Sequence, residues 1–159
     1  MIVVSDTGPL NYLRLIGEAD VLRQLYGCIL ISPAVADELT RPAAPDPVRQ
    51  WMEQRPDWLN IRAPDSVIGP SDLHTGERET IALALTVNAD LVLLDEKKGR
   101  AVAQSQGLRV VGTLGVLLQA DAQHLLSLTH AVEELRRTSF QISEALLASV
   151  LSHAFRPQP

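Results

Sequence analysis

Residues 75–95, TGERETIALALTVNADLVLLD, contain the pattern that decides the fold. Residues 75–87 are good helix formers and predict a helix, and the wholly apolar run Leu91–Leu94 predicts a buried strand that ends on Asp95. A further helix is predicted over 96–106, with Gly107 as its stop. A strand without alternation of apolar and polar residues is typical of a parallel sheet that helices cover on both faces.

The same alternation of strand and helix continues on both sides of this stretch. Further strands are predicted at Ile2–Val4, Cys28–Ile31, Leu59–Arg62 and Arg109–Val111. The other predicted helices are 9–16, 19–25, 34–39, 48–54, 114–120, 128–137 and 143–154. The sequence therefore predicts an α/β fold with a four- or five-stranded parallel sheet, helices on both faces and extra C-terminal helices.

The composition is typical of one compact globular domain, which we expect over residues 1–155, followed by a disordered tail at 156–159. Of the 159 residues 46% are apolar and 21% charged, which excludes a disordered protein. The formal net charge of -5 leaves no general basic surface, so nucleic acid would be bound locally or through metal ions. The single cysteine, Cys28, the lack of a leader-like start and the short apolar runs predict a cytoplasmic protein with no membrane association.

Acidic residues follow two of the predicted strands. Asp6 comes directly after the first strand and Asp95 after Leu91–Leu94. Ligands bind beyond the carboxyl ends of parallel strands, so we expect both side chains to point into one crevice, with Glu38 and Glu77 on helices that border it. Clustered carboxylates repel one another unless a cation neutralises them, and hard oxygen ligands suit Mg²⁺ or Mn²⁺. Such ions support the hydrolysis of phosphodiesters.

Asp6, Asp95 and Glu38 also have purely structural interpretations. Asp6 and Asp95 could each cap the helix that follows it, because Asp is common at such positions. Glu38 could be solvated, and its neighbour Asp37 could take its role.

The sequence decides less clearly which acid of the helix over 75–87 is a ligand, and whether the acid after Asp95 is one. Glu77 and Glu79 both lie in a first turn, where the helix dipole favours anions. Glu77 shares a stripe with Ile81, Ala84 and Leu85, so it is placed on the covered face more clearly than Glu79. We expect Glu96 to be a helix-start acid rather than a ligand.

Few other residues in the sequence suggest a role in catalysis or binding. His74 lies near Glu77 and could join proton transfer or be solvated. Trp51 and Trp58 could stack bases or pack against a loop. A basic cluster could meet a phosphate backbone or form a solvated helix face; it consists of Lys97, Lys98 and Arg100.

Six segments together resemble the PIN-domain family, in particular the prokaryotic PIN-like branch related to VapC-type toxins. They are IVVSDTGPL (2–10), PAVADEL (33–39), GERETIALA (76–84), LVLLDEKKGR (91–100) and VGTLGVL (111–117), with FQISE (140–144) near the end. The resemblance covers nearly the whole chain. It implies a metal-dependent endoribonuclease fold, often the toxin half of a type II toxin–antitoxin pair, which acts on RNA as a homodimer and is inhibited by a small antitoxin.

The resemblance also implies a set of ligands. The acidic positions of the family match Asp6, Glu38, Glu77 and Asp95. Many members have Asp where Glu77 stands, and Glu79 is near enough to compete for that position. Members usually carry a further acid beyond the last of these, and only Glu96 could fill that role here. Thr7 matches a hydroxyl residue that would steady Asp6 by hydrogen bonding, or it could only shape the turn.

Two other functions fit parts of the pattern. Apart from Glu96, the residues after Asp95 are the basic Lys97 and Lys98, and the lack of a clear further acid there favours a catalytically silent PIN-like module that acts through a protein or nucleic-acid partner. A phosphoacceptor domain of the receiver type would need a second acid beside Asp6, where Ser5 stands instead.

Overall fold

The structure, a computed structural model, describes residues 1–67, 69 and 71–154. The predicted disordered tail at 156–159 lies outside the described residues. Five strands form one sheet in the order β3-β2-β1-β4-β5. They are β1 (Val3–Ser5), β2 (Ile29–Ile31), β3 (Leu59–Ile61), β4 (Leu91–Leu93) and β5 (Val110–Val111). Every pairing between them is parallel, which confirms the predicted sheet and sets its strand number at five.

Helices occupy the segments between the strands and the C-terminal part of the described chain. They are α1 (Thr7–Leu15), α2 (Val21–Tyr26), α3 (Pro33–Thr40), α4 (Asp46–Glu53), α5 (Thr75–Thr86), α6 (Lys97–Ser105), α7 (Thr113–Ala122), α8 (Leu128–Arg136) and α9 (Glu144–Ala154). The start of α3 follows from its sequence, because Ser32 caps it by accepting from the Val35 amide at 3.2 Å and Pro33 opens its first turn. No described helix has both the length and the apolar composition that crossing a membrane requires.

Two hydrophobic cores lie on the two faces of the sheet, which explains why its central strands are apolar on both sides. Along β1, Val3 belongs to the larger core with α1, α2, α7 and α8, and its neighbour Val4 belongs to the smaller core with α5 and α6. Leu91 and Val92 divide in the same way along β4. Leu85 was predicted to lie on the covered face of the helix over 75–87, but this is wrong, because its side chain is 43% exposed.

The carboxyl ends of β1 and β4 lie side by side at the centre of the sheet. Ser5 is in register with Leu93, and the Asp6 amide donates to the Leu93 carbonyl at 2.9 Å. The chain enters α1 directly after Asp6 and approaches α6 directly after Asp95. This edge of the sheet is therefore the place where the predicted acids are brought together.

Candidate active site

Asp6 is a buried carboxylate at the end of the central strand β1. It occupies the position before α1, yet its side chain makes no hydrogen bond that caps this helix, unlike the structural interpretation of its sequence position. Its Oδ1 accepts from the Thr80 hydroxyl at 3.4 Å. Burial raises the pKa of Asp6 to about 7; the Thr7 backbone amide opposes the shift, and the charges of Glu38 and Glu77 add to it.

Glu38 and Glu77 complete an acidic trio with Asp6, because both lie near enough to raise its pKa by charge repulsion. Glu38 projects from α3 and accepts a hydrogen bond from the Thr7 hydroxyl. Glu77 lies in the first turn of α5 and is only 6% exposed. Burial raises the pKa of Glu77; the His74 side chain opposes the shift.

Thr7 has a different partner from the one expected. The resemblance placed its hydroxyl on Asp6, but that hydroxyl donates to Glu38. Consecutive side chains at the junction of β1 and α1 point in different directions, so Thr7 reaches the neighbouring helix α3 instead. The hydroxyl on Asp6 comes from Thr80 of α5.

Asp95 has both carboxylate oxygens engaged by a single residue. The Thr113 amide donates to Oδ1 and the Thr113 hydroxyl donates to Oδ2, each at 2.7 Å. Asp95 therefore caps α7, and not α6 as the structural interpretation had it, because the end of β4 lies beside the end of β5, where α7 begins. Burial still raises the pKa of Asp95, although Thr113 and the Arg100 charge oppose the shift.

The crevice expected at this edge is divided into two clefts. Glu38 and Glu77 line a cleft of 430 Å³ between α1, α3 and α5. Asp95 and Glu96 line a second cleft, of 540 Å³, on the β5 side. The division arises because Thr113 turns the Asp95 carboxylate towards α7. The two regions remain adjacent, since a Cβ atom on Gly8 would lie 3.1 Å from Asp95 Oδ2.

The two weaker candidates among the acids occupy peripheral positions. The Glu79 carboxylate accepts from the Ala34 amide at 2.8 Å and so stabilises the N-terminal end of α3. Glu96 is exposed at the position before α6, as expected of a helix-start acid, and makes no capping hydrogen bond. Its charge nevertheless contributes to the raised pKa of Glu77. The structure thus brings Glu77 to the trio, and Glu79 to a helix end.

Glycines let the acids approach the backbone closely. A Cβ atom on Gly76 would lie 2.5 Å from Glu38 Oε1, and one on Gly112 would lie 2.9 Å from Asp95 Oδ1. Any other residue would displace these carboxylates. The close approaches explain why glycine stands at these points of the GERETIALA and VGTLGVL segments.

The chemistry of these donors fits a hard divalent cation. Asp6 is a buried carboxyl group beside two further acids, and carboxylate oxygens are the ligands that Mg²⁺ and Mn²⁺ prefer. Among residues 1–67, 69 and 71–154, no three His, Cys, Asp or Glu side chains form a group close enough to hold a metal ion.

Two threonines belong to the site although the sequence analysis did not select them. Thr80 and Thr113 are both fully buried and donate to acids. Thr80 carries a detectable signal, because it lies three residues after Glu77 and so on the same side of α5. Thr113 carries none, since its partner Asp95 is 18 residues away in the chain.

The remaining candidate residues are the two tryptophans, His74 and the basic cluster. Trp51 and Trp58 pack against each other with ring centroids 6.0 Å apart, and Trp58 is buried, which supports the packing interpretation. His74 is exposed before α5 and lines the cleft of Glu38 and Glu77. Lys98 forms an ion pair with Asp72.

Comparison with known proteins agrees with this architecture. The family model DUF3368, described as a PIN domain, matches residues 2–155. Neither the curated proteins nor the solved structures include a match. The match spans nearly the whole chain, and PIN domains are typically nucleases, for which acids at the carboxyl ends of β1 and β4 are suitable donors. The chain therefore belongs to the PIN-domain family, whose fold is generally that of a nuclease.

Proposed function

We propose that this chain is an endoribonuclease that hydrolyses RNA phosphodiester bonds with Mg²⁺ or Mn²⁺. The observation that carries the proposal is the buried Asp6 carboxylate beside Glu38 and Glu77 at the end of the central strand. Burying Asp6 and Glu77 beside the partly buried Glu38 costs free energy unless a cation compensates them, and enzymes tolerate such costs at functional sites.

Each acid has a distinct way of being held. Asp6 is fixed by β1, Glu38 is oriented by the Thr7 hydroxyl, and Glu77 is positioned by the first turn of α5. These three residues and Asp95 would have to draw their side chains closer together to hold the cation, because no three of them form a metal-sized group among the described residues. The cation would polarise the scissile phosphate and neutralise charge that develops on its oxygens. Glu79 and Glu96 are more distant candidate ligands.

The cleft lined by Glu38 and Glu77 is suitable for an RNA backbone. Arg41 and Asn11 line it together with His74, and the Arg41 side chain supplies a cation that can bind a phosphate beside the acids. A local contact of this kind agrees with the net charge of -5, which gives no general attraction for polyanions.

Cleavage of RNA in Mn²⁺ tests the proposal, with Asp6→Asn as the decisive variant and Asp37→Asn as its matched control. Asp37 precedes Glu38 on α3 and is exposed. The parent chain and Asp37→Asn should cut single-stranded RNA, and Asp6→Asn should not. Persistent cleavage by Asp6→Asn would show that another site or a contaminant is responsible.

The biological role that we propose is that of a toxin in a type II toxin–antitoxin pair, acting as a cytoplasmic homodimer and inhibited by a small antitoxin. This part of the proposal rests on the resemblance to VapC-type toxins. Expression of the chain should arrest growth, and co-expression of a short neighbouring reading frame should restore it. Light scattering should give twice the chain mass of 17.4 kDa. Growth arrest that Asp6→Asn also causes would contradict the toxin role.

One observation favours a second candidate, a catalytically silent module that acts through a partner. Both oxygens of Asp95 are hydrogen-bonded to Thr113, so this acid already has a structural role. A silent module should bind no Mn²⁺ tightly at neutral pH and should leave RNA intact. Binding of Mn²⁺ without cleavage would show that the metal site is retained and that catalysis is lost.

A further inference from the structure

The second cleft, of 540 Å³, is a feature that the proposed chemistry does not use. We call it the Phe140 cleft; the lining residues that matter here are Tyr12, Asp95, Lys97, Arg100, Phe140 and Leu146. It lies against the edge strand β5, between α1, α6, α7 and α9. Asp95 forms part of its wall, so the cleft opens beside the predicted metal ligands.

One side of the Phe140 cleft is apolar and aromatic. Phe140 packs edge-on against Tyr12, with ring centroids 5.0 Å apart and the ring planes at 83°. The Tyr12 hydroxyl is paired with Ser139 Oγ at 3.0 Å, which fixes the ring. Leu146 is 45% exposed, although large apolar side chains are usually covered. A flat apolar group can pack against this surface.

The other side carries two cations. Lys97 and Arg100 lie on α6 and line the cleft, and neither forms an ion pair within the described part of the chain. Lys98, between them, points elsewhere and pairs with Asp72. Asp95 and Glu96 are acids that line the cleft with Arg100, and the Arg100 charge opposes the raised pKa of Asp95. Because Arg100 forms no ion pair among the described residues, its guanidinium can still bind an anion.

We propose that the Phe140 cleft binds one nucleotide of single-stranded RNA next to the scissile bond, with the base against Phe140 and Leu146 and its phosphate at Arg100. This subsite deepens the proposed nuclease function and rests on it. An apolar wall joined to cations matches a base joined to a phosphate, and the volume lies in the range of small-ligand sites. A helix of a protein partner would need an acidic side chain beside its apolar face to match the same cleft, and unchanged RNA binding by the cleft variants would favour it.

Binding of a fluorescent single-stranded oligoribonucleotide tests the subsite separately from catalysis. The parent for this experiment is Asp6→Asn in EDTA, so neither cleavage nor bound metal contributes. Adding Phe140→Ala should weaken binding at least about fivefold through lost stacking, with the salt dependence unchanged. Adding Arg100→Gln should weaken binding and lower the slope of log K against log salt by about 0.7, as for one lost phosphate contact.

The control is Lys98→Gln, which removes the same charge from the same helix outside the cleft. It should weaken binding less than Arg100→Gln. Phe140→Leu, which keeps the apolar contact and removes the aromatic face, guards against misfolding and should weaken binding in the same direction as Phe140→Ala. Unfolding midpoints of all variants should stay close to that of the parent.

The outcomes distinguish the subsite from the nuclease function. If the parent fails to bind the oligonucleotide, or if Phe140 and Arg100 variants bind as tightly as Lys98→Gln, the subsite is wrong, whatever the protein cleaves. If the wild-type chain cleaves RNA while the Phe140 and Arg100 variants bind it normally, the nuclease function is supported and the subsite is not. Loss of binding in the cleft variants with no cleavage by the wild type would support the subsite and overturn catalysis.

Discussion

The acidic trio and Asp95 lie at neighbouring strand ends, yet the protein stabilises their charges to different degrees. Asp6 is buried with a long hydrogen bond from the Thr80 hydroxyl, a contribution from the Thr7 amide and two acids close by. Asp95 receives two short hydrogen bonds from Thr113 and lies near the Arg100 charge. The charge of the trio is therefore stabilised less by its surroundings than the charge of Asp95 is.

This difference separates two roles that the sequence pattern could not distinguish. The trio has the electrostatic property of a cation site, because either a bound cation or a proton on Asp6 relieves its charge repulsion. Asp95 connects the sheet to α7, since capping this helix ties the C-terminal helices to the end of β4. If Asp95 also binds the cation, Thr113 sets the orientation in which it does so.

The largest effect should be the difference in cleavage rate between variants of Glu77, which belongs to the trio, and of Glu79, which does not. Glu77→Gln removes a buried trio carboxylate and should lower cleavage more than about 100-fold, beyond what outer-shell changes cost. Glu79→Gln keeps an oxygen that can accept from the Ala34 amide, so its activity should stay within about threefold of the parent. Initial rates on one RNA substrate measure both. Equal losses would show that the structure assigns the wrong acid to the trio.

The trio should also make the metal-free protein less stable as the pH rises. The folded-state pKa of Asp6, about 7, lies above its ordinary value of 3.8, so the folded protein holds this proton more tightly than the unfolded chain. Stability is therefore greatest below the ordinary pKa and is lost up to about pH 7. Urea titrations in EDTA should show a loss of roughly 2 kcal/mol between about pH 5 and pH 8.

Asp6→Asn removes this titration and is the control for the pH dependence. Its unfolding free energy should change less with pH than that of the wild type, and at about pH 8 it should be the more stable protein. Glu77, whose pKa is also raised, leaves a residual slope of the same sign. Parallel pH profiles for wild type and Asp6→Asn would contradict a buried, uncompensated Asp6 charge.

The smallest effect should distinguish the two buried threonines. Thr113→Val removes a 2.7 Å hydrogen bond to Asp95 and should cost about 1.5 kcal/mol of unfolding free energy, as bonds to charged groups do. Thr80→Val removes a 3.4 Å bond to Asp6 and should cost less than about 0.5 kcal/mol. Valine has nearly the shape of threonine in both places. A larger cost at Thr80 would reverse the comparison between the two regions.

The sequence predicted the elements of the fold well, because apolar runs and caps are local signals. Leu91–Leu94 became β4 with its end moved by one residue, and the weak run at Leu59–Arg62 became the edge strand β3. The first helix begins at Thr7, two residues before the predicted start at Pro9, because the chain turns into α1 directly after Asp6.

Contacts between distant residues could not be predicted in the same way. Which acids follow strands is visible in the sequence, and so Asp6 and Asp95 were selected. The partner of each side chain depends on packing: Thr7 reaches Glu38 across 31 residues, and Glu79 reaches Ala34 across 45. No periodicity records those contacts, so the division of the acids into two clefts became visible only in the structure.

Calorimetric titration with Mn²⁺ at neutral pH tests the central claim most directly, that Asp6, Glu38 and Glu77 hold a divalent cation. The wild-type chain and the surface control Asp37→Asn should bind Mn²⁺ with the same affinity, and Asp6→Asn should bind it more than about 100-fold more weakly. Binding that is absent from the wild type, or equal in the wild type and Asp6→Asn, would contradict the account.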